Sequence, residues 1–158
     1  MADNSGIRII TRDKLEELID ISRSSERRRA PTPIHPAEYH GPQYLINPIQ
    51  PDSYLRPHNH NYPEIWMPVR GRVMLISFYN DGEIADKNIL STREVVFYEM
   101  PPKLFHTAFA LEEDSVFSNI SQGPFNPKAA KSFPEWAPRE EDRGEATKYL
   151  AELKRRVL

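Results

Sequence analysis

The chain has 158 residues, no cysteine and a net charge of −2. One domain of this length buries roughly 70% of the surface its unfolded chain exposes, enough for a real core. The near-neutral charge argues against a nucleic-acid or polyanion partner, and the missing cysteine excludes disulfides and thiolate metal ligands. The start, Met1-Ala2-Asp3-Asn4-Ser5-Gly6, has no basic stretch followed by an apolar run. No segment approaches the ~18 consecutive apolar residues of a membrane span, so a cytoplasmic protein is expected.

Residues 1–42 read as a helix followed by an arm. Thr11 is an N-cap for a helix to about Ser22, with Leu15, Leu18 and Ile19 at helical spacing. Arg23 to Arg29 holds four arginines and one glutamate. It reads as a solvated linker, with an anion-binding arm as the alternative. Prolines 31, 33, 36 and 42 make the next stretch extended, because proline fixes φ and biases its predecessor away from helix. Within this stretch His35 is placed to cap a pocket, and His40 reads as a surface histidine.

Residues 43–121 read as a β barrel. Strands are expected at Gln43–Pro48, Ser53–His60, Glu64–Val69, Arg72–Tyr79, Glu83–Leu90, Glu94–Glu99, His106–Glu112 and Ser115–Ser121, all short and rich in Val, Ile, Phe and Tyr. Asn80-Asp81-Gly82 is a tight-turn signal. Residues 122–158 read as an irregular tail ending in a helix near Glu145–Val157, with Tyr149, Leu150, Leu153 and Val157 on one face.

The run Pro57-His58-Asn59-His60-Asn61-Tyr62-Pro63-Glu64, closed by Gly71, carries the chemistry. Residues two apart on a strand share a face, so His58 and His60 point the same way, about 6.6 Å apart at Cα. Glu64 opens the next strand on that side. His106, in Pro101-Pro102-Lys103-Leu104-Phe105-His106, comes from a later strand facing them. Any one histidine is more often structural than ligating; the joint pattern is far rarer. His58, His60, Glu64 and His106 are therefore expected to bind one divalent metal. Three imidazoles and a carboxylate suit Fe, Mn, Ni, Co or Zn, and ligand count does not choose among them. Tyr54, Arg56 and Trp66 share inward parity with these ligands and, with His35, are expected to bind substrate.

These segments resemble the two motifs of the cupin superfamily, a double-stranded β-helix or jelly-roll barrel. His58, His60 and Glu64 match the first motif's ligands and Gly71 its closing glycine, while Pro101 and His106 match the second motif. Asp52, Lys103 and Ala110 depart from the usual residues. More of the chain resembles the WbuC family of cupin-fold metalloproteins: Arg27-Arg28-Arg29, His35, Gln43, Ser53-Tyr54-Leu55-Arg56-Pro57-His58-Asn59-His60, Gly123-Pro124-Phe125 and Glu135-Trp136-Ala137-Pro138. Pro33 and Tyr39-His40 depart from that pattern. The resemblance implies a cupin barrel, the four metal ligands and an association with bacterial O-antigen and surface-polysaccharide gene clusters.

Two functions follow as expectations. One is a metal-dependent isomerase or oxygenase-type enzyme acting on a small polar metabolite such as a sugar, with Arg56 holding an anionic group. The other is a non-catalytic module that binds a metal-held sugar or metabolite. A purely structural metal fits less well, since structural zinc sites are usually closed and often use cysteine. A homodimer is expected from the open sheet edges of a jelly roll, with the N-terminal helix and Pro-rich arm contributing.

Overall fold

The structure is a computed structural model that describes residues 6–36, 41–124, 126 and 131–158. His40 and Phe125 lie outside the described residues. Among the described residues two helices flank eight strands: α1 (Arg12–Ser24), β1 (Thr32–Pro33), β2 (Gln43–Ile49), β3 (Glu64–Arg70), β4 (Val73–Phe78), β5 (Ile84–Leu90), β6 (Tyr98–Met100), β7 (Phe105–Ala110), β8 (Ser115–Ser121) and α2 (Arg143–Val157). One sheet has the order β1-β2-β8-β3-β6 and the other β5-β4-β7, with all pairs antiparallel. This is the expected two-sheet jelly roll.

Strand alternation explains how the layers stack. The faces between the sheets bury Ile49, Trp66, Val73, Leu75, Ala108, Ala110 and Phe117. The other face of β4 and β7 offers Met74, Ile76, Phe78 and Phe109, which Leu150, Leu153 and Val157 of α2 cover. All six residues of β4 are therefore buried, and the strand reads as a continuous apolar run rather than an alternation. Each of the three α2 side chains contributes at most about 1.5–3 kcal/mol by leaving water. On the opposite side, Leu18 and Ile19 of α1 cover Ile46 and Val116. The Thr11 hydroxyl accepts from Lys14 N at 3.2 Å, and the Asp142 carboxylate from Glu145 N at 3.3 Å, so each helix begins on its own cap. Among the described residues, no helix is long and apolar enough to cross a membrane.

Three expectations are corrected. The stretch Ser53–His60 is not a strand: it is irregular, and only His58 and Asn59 form single bridges. Pro57 removes a donor there, and the backbone instead meets side chains, as where Thr107 donates to Leu55 O. Of Glu94–Glu99, only the end pairs, as β6, with Val95 bridging Leu90. The arginine tract is solvated only in part: Arg23 and Arg27 are exposed, but Arg29 is buried against the body and Arg28 is anchored to Asp52.

Candidate metal centre

Each ligand is set by backbone. His58 and His106 form an antiparallel bridge, with His58 N to His106 O at 3.0 Å and His106 N to His58 O at 2.9 Å. His60 O accepts from Lys103 N at 2.6 Å. Lys103 adopts φ 65°, left-handed backbone that glycine adopts most easily, so this tight turn forms without one. Glu64 opens β3 and pairs with both Ser121 and Met100. All four side chains are buried.

The imidazoles converge. One ring nitrogen from each of His58, His60 and His106 can be chosen so that all lie within 4.8 Å of one another. His58 Nδ1 lies 2.8 Å from Arg56 O and His106 Nδ1 lies 2.9 Å from Leu104 O. A carbonyl only accepts, so these contacts place the proton on Nδ1 and leave Nε2 as a lone pair. His106 Nε2 is buried without a hydrogen-bond partner, 3.4 Å from Glu64 Oε2. His60 Nε2 lies 3.4 Å from Glu64 Oε1. A lone pair facing a carboxylate in a buried site is repulsive unless a cation joins them. Burial foremost, and then His106, hold His58 well below its ordinary 6.5, so it is neutral and ready to ligate at neutral pH. Burial pushes Glu64 up, but its histidine and Trp66 contacts prevail and hold it below 4.5, as a carboxylate. The residues present fit a divalent metal.

The carboxylate is itself held. Trp66 Nε1 donates to Glu64 Oε2 at 3.2 Å, and Asn119 Nδ2 to Oε1 at 3.2 Å. Asn47 Nδ2 in turn donates to Asn119 Oδ1 at 2.8 Å. Sequence reasoning missed both asparagines, although parity could have found them. Asn47 shares an inward face with Gln43 and Leu45 on β2, and Asn119 with Phe117 and Ser121 on β8.

His58, His60 and Glu64 line a cavity of about 570 Å³, and the buried His106 completes the cluster beside them. Of the expected substrate residues, Trp66 and His35 line it. Trp66 stacks on Phe117 at 4.6 Å, and His35 Nδ1 accepts from Tyr44 N at 3.0 Å. Tyr54 and Arg56 do not line it, which corrects the parity argument: without a strand at 53–57, alternation has no hold on them. The Tyr54 hydroxyl donates to Pro138 O at 2.9 Å. Arg56 donates from Nε to Ala137 O at 3.2 Å and from Nη2 to Pro134 O at 3.1 Å, with its Cζ 4.7 Å from the Phe133 ring centre. Both residues bind the tail as a strap across the barrel. Arg27, Arg29, Tyr62 and Lys131, none expected as pocket residues, line the cavity instead. Tyr62 stacks on His60 at 5.0 Å.

A family model described as a domain of unknown function, DUF6016, matches residues 10–90. The chain belongs to the DUF6016 family. No curated protein matches it. Among solved structures it is similar to CapF with the inhibitor 3-isopropenyl-tropolone, at 21% identity and TM-score 0.59 over 71% of this chain and 33% of that one. CapF from Staphylococcus aureus, a capsular polysaccharide assembling protein, matches at 19% identity and TM-score 0.57 over 67% of this chain and 30% of that one. Recombinant oxalate oxidase in complex with glycolate matches at 18% identity and TM-score 0.54, over 70% of this chain and 57% of that one. The DUF6016 chain spans about a third of the CapF chains it matches. These likenesses show that its fold is that of cupin proteins.

Proposed function

We propose that this DUF6016 chain is a metal-dependent cupin acting on a small polar metabolite, a sugar or sugar derivative of surface-polysaccharide metabolism. One observation carries the metal dependence: the Glu64 oxygens confront Nε2 of His60 and of His106 at 3.4 Å each, beside a cavity that His60 and Glu64 line. His58, His60, His106 and Glu64 would hold the ion, which is Fe, Mn, Ni, Co or Zn by donor type. When bound, such an ion polarises a carbonyl or hydroxyl pair and acidifies coordinated water.

The chain's own residues supply the rest. Trp66 and Asn119 fix the carboxylate, and the Arg56 and Leu104 carbonyls fix two imidazole tautomers. Leu45, Ile49, Leu55 and Phe117 make part of the wall apolar and exclude water from it. His35 is an imidazole on that wall outside the ligand set, which favours turnover, by isomerisation or oxygen-dependent oxidation, over a non-catalytic binding module. The sugar class is supported by the WbuC resemblance and by the likeness to a capsular polysaccharide assembling protein.

The test is metal analysis of protein purified without added metal, then an unbiased metabolite screen on the metal-loaded form. A sugar-class ligand that needs the ion and is lost in His106→Ala is expected. A fully loaded protein that binds no sugar-class compound would contradict the reading.

A further inference from the structure

We infer that the cavity takes a ligand bearing an anionic group, a carboxylate or phosphate, which Arg27 and Lys131 hold while the rest of the ligand reaches the histidine cluster. This names the substrate class for the site proposed above and rests on reading that cavity as a ligand chamber.

The charges on its wall are unbalanced. Arg27, Arg29 and Lys131 all line the cavity. Arg29 is buried and well satisfied, by Glu140 Oε1 at 2.6 Å, Tyr54 O at 2.7 Å and Ser53 Oγ at 3.3 Å. Its role is structural. Arg27 Nε takes the other oxygen of the same carboxylate, Glu140 Oε2, at 3.1 Å, so one acid serves two guanidinium groups. Lys131 has no carboxylate within ion-pair distance among the described residues. The acid that acts on it most is Glu64, which the metal site claims. Glu64 and Glu140 thus answer three cations, before any divalent ion adds its own positive charge.

Lys131 is also built into the site. Ser132 next to it pairs with Asn59 in both directions, at 2.9 and 3.0 Å, and Asn59 stands between the ligands His58 and His60. The Arg56 and Tyr54 contacts to the tail clamp the same strap. A neutral ligand filling this cavity would strip water from Arg27 and Lys131 and return nothing, whereas an anion offsets that desolvation. A guanidinium fork and an ammonium suit carboxylate or phosphate oxygens alike.

The test titrates Co(II)-loaded protein with glycolate, with inorganic phosphate and with ethylene glycol, a neutral diol of glycolate's size. Cobalt absorption and tryptophan fluorescence report binding, and fluorescence alone is repeated on metal-free protein. At least one anion should bind, and the two anion arms distinguish carboxylate from phosphate. Ethylene glycol should bind far more weakly than that anion. Lys131→Met and Arg27→Gln should each weaken anion binding about tenfold, with cobalt affinity unchanged, and Lys131→Arg should restore it. The inference is overturned if neither anion binds, if both variants leave anion binding unchanged, or if ethylene glycol binds as tightly. Phosphate that binds in a Lys131-dependent way to protein unable to take cobalt would defeat the metal reading and leave this one standing. Cobalt uptake without anion binding would do the reverse.

Discussion

His58 and His106 are direct partners in an antiparallel bridge, hydrogen-bonded to each other through both peptide groups at 3.0 and 2.9 Å. Their rings therefore lie on one face with centroids 4.6 Å apart. The spacing of these two donors is a backbone property, fixed before any ion arrives, and it makes the site preorganised.

Asn119 tests how much of that preorganisation lies outside the ligands. Its amide holds Glu64 Oε1 and is held by Asn47. Asn119→Ala should weaken metal affinity about 10–100-fold with the fold retained. Competitive chelator titration measures it, and unchanged affinity would show that Glu64 is oriented without Asn119.

Arg56 should prove to be a clamp. Its guanidinium spans two tail carbonyls and lies against Phe133. Arg56→Ala should cost about 1–3 kcal/mol in urea unfolding and raise amide exchange across residues 132–138, while metal content stays intact. An unaltered midpoint and unaltered exchange would remove the clamp.

Glu140 gives the fold an acid sensitivity. Burial pushes its carboxyl up, but Arg29 and then Arg27 outweigh burial and hold it below the ordinary 4.5. A depressed carboxylate contributes stability that is present above its unfolded pKa and lost as pH falls through the folded one. Glu140→Gln should therefore lower stability at neutral pH by about 1–3 kcal/mol and flatten the loss below 4.5. Parallel stability–pH curves for the two proteins would contradict the assignment.

Gly71 should resist substitution. Its φ is 68°, and an added Cβ would meet Ser115 Oγ at 2.5 Å and Ser115 Cα at 3.1 Å. Ser115 is fully buried and cannot yield cheaply. Gly71→Ala should cost about 1–3 kcal/mol by thermal unfolding. A neutral result would mean that the β3–β4 turn and the start of β8 can separate there.

The barrel was legible because its strands announce themselves locally. β2, β3, β4, β5 and β8 fall within a residue or so of the expected spans, and the expected cap Thr11 stands at the start of α1. The histidines and Glu64 were legible because their spacing is tied to chemistry. Arg56 and Tyr54 were misplaced because parity was applied to a stretch that is not a strand. Lys131 was illegible for a different reason, and the anion-binding alternative for the arginine tract pointed to Arg27 without placing it: both reach the cavity through tertiary contacts of the tail and the tract. No local period encodes such contacts.

The central claim is that His58, His60, His106 and Glu64 hold one divalent ion. Elemental analysis of wild-type protein and of His106→Ala, both purified without added metal and then dialysed against each candidate ion, tests it most directly. The account predicts about one ion per chain in the wild type and loss of most of it in the variant, with circular dichroism unchanged, because the backbone bridge between His58 and His106 does not need the imidazole. Equal metal content in the two proteins, or no ion retained by the wild type for any of the five metals, would contradict it.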